Sequence, residues 1–535
     1  MSRSVSQAVR PRKPLVLVAL VAAAFAINLD TTIVNVALPA LVRQLHATDT
    51  QLQWVVDAYN LVFAALVLTS GSLSDRWGRK GALLAGLATF GVASAAGALA
   101  ASPGELIAAR AVMGLGAAMI FPATLSLITN VFTGRAERAQ AIGAWGASAG
   151  AAIAFGPVVG GWLLERSSWP AIFWAMVPVA ALAAALVVFF VPTSRSAKAG
   201  ALDWGGFGSS TVAMGVLVYT IIEAPDAGWG SVRSLGGLIV AAAVLAGFVS
   251  WERRTRSPML DVALFANPRF SAASGSVTVS AFTLFGFIFL ITQYFQFVRS
   301  YSPLATGVRL LPVALCVGAA SVIGTKLAVR FGTKQVVTTG LVLVTGFYAW
   351  VALTITTSTS YAVIATQMVL YGVGLGLTMA PATESIMGAV AKDKAGVGSA
   401  VNDATRLLGG TLGVAVIGSV YASLYTGRLG VHLPAALPAS LRNLAGQSVG
   451  AAYAVAQRLA TGGQGRLGQL VHGAASSSFI HAIAVACAIA GAVAAVGAGA
   501  AAAALPAQPP APSLSDVPPE VLPRQEEPVT VGGVA

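Results

Sequence analysis

The chain has 535 residues, of which 56% are hydrophobic and only 10% charged, and its mean hydropathy is +0.79. That is more apolar surface than a soluble domain can hide, so the solvent of the folded chain is lipid. The net charge of +13 raises nucleic acid as a partner, but Lys and Arg concentrate in alternate loops, as the positive-inside rule requires of a membrane protein, and this excludes that partner.

A hydrocarbon core of about 30 Å needs roughly 20 apolar residues per helix. Fourteen such runs lie at residues 15–38, 52–72, 81–101, 105–127, 139–164, 170–191, 204–223, 234–252, 271–298, 304–329, 336–355, 361–387, 398–424 and 479–503. The fold class expected is an all-α polytopic membrane protein with both termini in the cytoplasm. Arg3, Arg10, Arg12 and Lys13 precede the first run as they would a signal peptide, but the run is too long, contains Asp30 and lacks a small-x-small cleavage site.

An ionisable group at membrane depth must pair, face water or do chemistry. Seven positions in or at the edges of spans qualify: Asp30, Asp57, Arg110, Glu223, Glu384, Asp403 and Arg406. Counted at about 1.5 Å per residue from the span ends, Asp30, Asp57 and Arg110 fall together in the outer half. One cation there can neutralise one acid and leave the other to exchange a proton or meet a cationic substrate. Asp30 is expected to carry the proton with Arg110 modulating it, and the sequence leaves open whether Asp30 or Asp57 pairs with Arg110.

After span two, the loop Gly71-Ser-Leu-Ser-Asp-Arg-Trp-Gly-Arg-Lys80 offers glycines for a tight turn, an acid at Asp75 and bases at Arg76, Arg79 and Lys80. It is expected to act as a conformational latch, pairing with Glu137 and its neighbours in one state. In span five, Gly156, Pro157, Gly160 and Gly161 combine a lost backbone hydrogen bond with room for close helix approach. Asp203, Glu223 and Asp226 bound span seven as interfacial anchors. Arg76, Gly78 and Lys80 recur as Arg330, Gly332 and Lys334 at a constant shift of 254 residues, which suggests two six-helix halves with spans seven and eight inserted between them.

Further along, Cys316 and Cys487 fall in apolar runs and behave as small hydrophobes, and four His without ligand spacing give no metal site. Glu384, Asp403 and Arg406 flank the loop of Lys392 and Lys394 near the cytoplasmic face, where Asp403 and Arg406, three apart, share a helix face. They are expected to form a cytoplasmic gate, with Glu384 as a second proton or substrate acid. Residues 425–478 are read as a solvated extracytoplasmic connector, with an amphipathic helix around 440–459 as the alternative. The Pro-rich acidic stretch 505–535 is expected to be a disordered tail.

Gly71 to Lys80 resembles the cytoplasmic signature of the major facilitator superfamily. Leu29-Asp-Thr-Thr-Ile-Val-Asn-Val-Ala-Leu-Pro39, Ala154-Phe-Gly-Pro-Val-Val-Gly-Gly161 and Arg110 with Gly114-Leu-Gly116 are similar to motifs of its fourteen-helix drug:proton antiporters, although Met113 stands where the pattern has glutamine. The resemblance implies the major facilitator fold: a cytoplasmic N-terminus (1–14), a first six-helix bundle (15–191), an inserted pair (204–252) and a second bundle (271–503) carrying loop 425–478. It also implies export, since the span-five motif belongs to antiporters, and a coupling role for the first-helix acid.

The function expected is proton-coupled export of drugs or other amphipathic small molecules across a bacterial plasma membrane. The alternative is a dedicated exporter of one metabolite, such as a self-made antibiotic or an amino acid. A receptor or membrane enzyme would need a folded soluble domain or a His and acid cluster at an interface, and neither is in the sequence. No Gly-x-x-x-x-Gly-Lys-Ser/Thr loop is present, so the proton gradient is the expected energy source. The partners expected are a small-molecule substrate, protons and the bilayer, with no cofactor and a monomeric state.

Overall fold

In a computed structural model the described residues are 12–194, 203–255, 258, 260–390 and 395–506; some side chains within these ranges are also outside the description. The predicted tail, 505–535, lies outside them from residue 507. The elements are helical: α1 Lys13–Leu45, α2 Asp49–Trp77, α3 Arg79–Ala98, α4 Pro103–Val131, α5 Arg135–Arg166, α6 Pro170–Phe190, α7 Trp204–Ala227 and α8 Val232–Glu252. There follow α9 Pro268–Gln293, α10 Pro303–Arg309, α11 Leu311–Phe331, α12 Thr333–Thr354, α13 Tyr361–Gly388, α14 Ala395–His432, α15 Ala439–Gly446, α16 Val449–Thr461 and α17 Gly465–Ala504. Thirteen helices among the described residues are long and apolar enough to cross a membrane. The second expected span, α2, has 29 residues but is not among the thirteen, and part of its second half has undescribed side chains.

Helix starts follow from local chemistry. Thr48 and Gln51 form a reciprocal capping box at α2, and Ser102, Asp203, Ser231, Asn267, Ser302 and Ser448 each accept from a backbone amide of the turn they open. Gly78 and Gly332 join α2 to α3 and α11 to α12, with φ of +114° and +91°, a region that favours glycine. The shift of 254 residues thus links two turns of like backbone.

Around α1 pack α4, α5 and α6, while α3 lies against α4 and α6, and α2 against α4. A second group joins α9 to α13, α14 and α17, α11 to α13, and α12 to α13 and α17. The pair α7–α8 reaches the rest through α2 and α14. Outward-facing apolar side chains such as Val232, Ile239, Phe189 and Val329 are exposed, as expected of a surface in contact with lipid.

The contacts between the groups gather at the end where α1 stops and α2 begins. A Cβ on Gly307 of α10 would lie 2.1 Å from the Pro157 carbonyl oxygen of α5, and one on Gly161 would lie 2.5 Å from that of Pro303. On α14, a Cβ on Gly418 would meet the Gln53 side chain of α2 at 2.7 Å. Toward the other end of α5, added Cβ atoms on Gly143, Gly146 and Gly150 would meet nothing within 4 Å. The groups close on each other at the first of these ends.

Residues 425–478 are not a solvated connector. α14 continues to His432, α15 and α16 follow, and α17 begins at Gly465. Val449, Ala452, Val455 and Leu459 of α16 are buried, and a Cβ on Gly450 would lie 2.7 Å from Val42 of α1. A turn-spaced apolar face that finds α1 and α17 has reason to pack.

Gly307→Ala is expected to destabilise the fold by about 1–3 kcal/mol, because backbone cannot move aside as a side chain can. Gly318→Ala, with nothing within 4 Å, should leave the thermal unfolding midpoint of the purified protein unchanged. Equal midpoints for the two variants would contradict close packing of α5 and α10.

Candidate functional site

The buried charges are concentrated where α1, α2 and α4 meet. Arg110 is 1% exposed and donates from Nη1 to Asp30 Oδ2 at 2.5 Å. Its Nε donates to the Val55 carbonyl at 2.9 Å, and its guanidinium carbon lies 4.3 Å from the Tyr59 ring centroid. The Tyr59 hydroxyl donates to the Ile27 carbonyl at 3.3 Å. Such closeness depends on Gly114, where a Cβ would stand 2.5 Å from the Tyr59 carbonyl oxygen. The glycine one turn beyond Arg110 therefore lets α2 bring a ring and a carbonyl to the cation.

The structure thus resolves which acid pairs with Arg110: it is Asp30. Asp57 is fully buried, and neither carboxylate oxygen has a hydrogen-bond partner among the described residues. It belongs to a row on one face of α2 that also holds Asp49, Gln53 and Asn60, all buried. Ser419 of α14 donates to Gln53 Oε1 at 3.1 Å, while Gln53 Nε2 and both amide atoms of Asn60 have no partner among the described residues. The sequence reading missed Gln53 and Asn60; the signal was their spacing of four before and three after Asp57.

Helix bounds differ from the predicted ones. α1 runs to Leu45, past the predicted end at Leu38, and Asp30, near the middle of α1, meets Arg110 seven residues into α4. α14 starts at Ala395, and Arg406, eleven residues in, reaches Asn28 Oδ1 at 3.4 Å. Arg406 therefore adjoins the Asp30 cluster instead of forming a separate layer at the helix end. Asp403 is buried within the field of Arg406, whereas Glu384 is exposed on α13 near Arg269, whose Nε donates to Ser385 Oγ at 3.0 Å.

In the predicted latch loop, Arg79 donates from its backbone to the Ser194 carbonyl at 2.9 Å and Lys80 Nζ donates to the Val188 carbonyl at 2.9 Å. Gly71 and Gly78 lie at the end and just beyond α2, and the side chains of Asp75 and Arg76 lie outside the described residues. The loop docks on the end of α6, while Glu137 pairs with Lys13 at 2.6 Å between exposed side chains. In α5, a Cβ on Gly156 would lie 2.0 Å from Thr32 Oγ1 and one on Gly160 would lie 2.8 Å from the Ile33 side chain. Thr32 itself donates to the Ala152 carbonyl at 3.0 Å, across the contact between α1 and α5.

The larger aromatic side chains of the spans do not assemble as one wall. Trp54 donates to Glu223 of α7 at 3.2 Å, Phe121 packs on Trp145, Tyr371 stacks on Phe347, Tyr294 donates to the Thr356 carbonyl at 2.8 Å, Phe285 lies on Gly410 and Phe155 is exposed. Only Tyr59 touches the charge cluster.

Two helical groups closing at one end, with buried ionisable groups where α1, α2 and α4 meet, fit a polytopic membrane transporter. The family described as Major Facilitator Superfamily matches residues 20–414, and the chain belongs to that family. It is 36% identical over 414 residues, 77% of each chain, to "Multidrug resistance protein Stp" of Mycobacterium tuberculosis. With "Multidrug efflux pump LfrA" of Mycolicibacterium smegmatis it shares 36% over 435 residues, 81% of this chain and 85% of the other. With the "Tetracenomycin C resistance and export protein" of Streptomyces glaucescens it shares 34% over 400 residues, 74% of each. The fold is similar to an inward-facing bacterial homolog of the human lysosomal transporter Spinster, with a TM-score of 0.67 at 17% identity over 93% of this chain and 98% of that one.

Removing Arg110 leaves Asp30 buried without its partner, so Arg110→Ala is expected to cost about 3–5 kcal/mol. The double variant Asp30→Asn with Arg110→Gln should recover much of that loss in chemical denaturation. A double variant no more stable than Arg110→Ala would show that the pair is not the source.

Proposed function

We propose that the protein is a proton-driven exporter of amphipathic, cationic small molecules, acting in a bacterial plasma membrane with both termini in the cytoplasm. The observation that carries this is the asymmetry of two buried acids: Asp30 is neutralised by Arg110, while Asp57 has no partner among the described residues. Their setting is a family whose relatives bear multidrug and antibiotic-resistance names.

A carboxylate with no counter-ion in a low-dielectric interior is poorly tolerated as an anion. In the conformation closed at the Asp49 end, Asp57 therefore carries the proton, a revision of the sequence expectation that Asp30 does so. Opening at that end lets water reach α2, and the exchange of proton for cation follows. Asp30 becomes the second acid once Arg110 shifts toward another partner, and Arg406, beside Asn28, modulates the field. The cycle needs the proton gradient and no cofactor. The acting unit is one chain, with no nucleic acid.

The roles of the remaining parts follow from their contacts. The first bundle (15–191) and the second (271–503) rock against each other, while the pair 204–252 guides α2 and α14. Arg79 and Lys80, held on α6, keep the α2–α3 turn at Gly78 in place as the latch, with Gly71, Asp75 and Arg76 on the last turns of α2. Gly156, Pro157, Gly160 and Gly161 form the bearing surface of α5. Asp403 belongs to the internal gate, and Glu384 marks its entrance. Relatives named for one antibiotic favour a second reading, export of a single metabolite through the same cycle.

Purified full chain in proteoliposomes with an imposed pH gradient tests the proposal. Ethidium should move against its gradient, Asp57→Asn should lower gradient-driven transport at least tenfold, and ethidium binding should persist. Transport unaffected by a protonophore would refute the coupling, and undiminished transport by Asp57→Asn would remove that residue from it.

A further inference from the structure

At the closed end lies a second polar site, remote from the Asp30 cluster. A cavity of about 750 Å³ is bounded by the start of α2, the end of α7 with its following turn, the outer part of α14 and α15. Asp49 lines it yet is 4% exposed, and its Oδ1 has no hydrogen-bond partner among the described residues. Beside it Asp226, exposed, accepts from Thr50 Oγ1 at 3.2 Å. Trp229 stands on the rim, its indole fixed by donation to Ser423 Oγ at 3.0 Å. Ala422, Leu429 and Leu433 supply apolar wall.

We propose that this cavity is a second binding site for a lipophilic monovalent cation, held by the Asp49 and Asp226 carboxylates. The volume falls in the range of drug-sized pockets, roughly 300–1,000 Å³. Two acids beside apolar and aromatic wall suit a delocalised organic cation, which needs little of the hydration that an inorganic ion keeps. A divalent metal wants six or more oxygen ligands for calcium or octahedral geometry for magnesium, and no group of three or more metal-type ligands occurs among the described residues. Arg442, the one basic side chain on the wall, is turned to the Pro434 and Ala435 carbonyls at 3.4 Å.

The site is sensitive to pH. Burial first, and then the like charge of Asp226, push the Asp49 carboxyl up to about 8. Because its folded value is raised, Asp49 is ionised and ready for a cation above that value, and neutral below it. The other charged or titratable groups around it are His46 before α2, Asp226 on α7, Tyr421 and Tyr425 on α14, Arg442 on α15 and Tyr453 on α16. At pH 6.5 Asp49 is largely neutral, so apparent affinity falls from that at pH 9.

The inference concerns binding and is tested apart from transport. Asn443, exposed on the cavity wall, is changed to Cys in the full chain carrying Cys316→Ser, Cys487→Ala and His46→Gln, and its alkylation by a hydrophilic maleimide is followed in nanodiscs. Tetraphenylphosphonium is expected to slow alkylation at least fivefold at pH 9, with its half-protecting concentration rising at pH 6.5. Asp226→Asn should weaken protection and Asp49→Asn abolish it, while Asp57→Asn keeps it. Should the buried Asp49→Asn variant not fold, the exposed Asp226→Asn alone decides. Equal protection by tetraphenylborate, the same shape with opposite charge, overturns the proposal, as does protection undiminished in Asp226→Asn or lost in Asp57→Asn. Ethidium transport by Asn443→Cys without maleimide reports separately on the export reading.

Discussion

A guanidinium held at 1% exposure inside a membrane bundle sets the terms for the helices around it. It must be neutralised and its donors used, and α1 and α2 are placed so that both happen. Asp30 supplies the charge, the Val55 carbonyl takes a second donor and Tyr59 covers the planar face. Val55 and Tyr59 reach it because α2 and α4 touch backbone to backbone, which Gly114 permits. A lysine, a point charge, would offer no planar fork to Asp30 and Val55 and no flat face to the ring.

From this pair outward, α1 serves as the axle. Its Thr32 and Ile33 face the glycines of α5, its Val36 carbonyl accepts from Gln296 of the second group at 2.9 Å, and its Val42 meets α16. The same helix thus carries the neutralised acid, the α5 bearing and a contact with the terminal cap. A small rotation of α1 changes all three together, which is how a local proton event can be felt at the far end of a packed bundle.

Thirteen of the fourteen expected runs were legible as helices long and apolar enough to cross, because lipid forces long apolar runs that charged loops punctuate. The ionisable trio was legible for the converse reason, since charge stands out against such runs. Which acid faces Arg110 was not, because rotation about a helix axis leaves no trace where every face is apolar. The contact of Arg406 with Asn28 was hidden for a different reason: it joins α14 to α1, residues 378 apart in the chain, and spacing within one span says nothing of it. Gln53 and Asn60 escaped notice because uncharged amides barely disturb hydropathy, although they occupy the same α2 face as Asp57. The cap α15–α16 has the composition of a connector and becomes structure only through the surfaces it covers.

The polar row Asp49, Gln53, Asp57 and Asn60 also bears on how the chain is made. Along the first three turns of α2 these side chains share one face, and a helix so marked has no low-energy orientation alone among lipid tails. Its natural shelter comes from α4, more than fifty residues later in the chain, and from α14, beyond residue 395. α2 must therefore wait at the translocation machinery or at the bilayer surface until partners synthesised after it arrive. The same buried polar row makes the second helix dependent on its later ones during assembly.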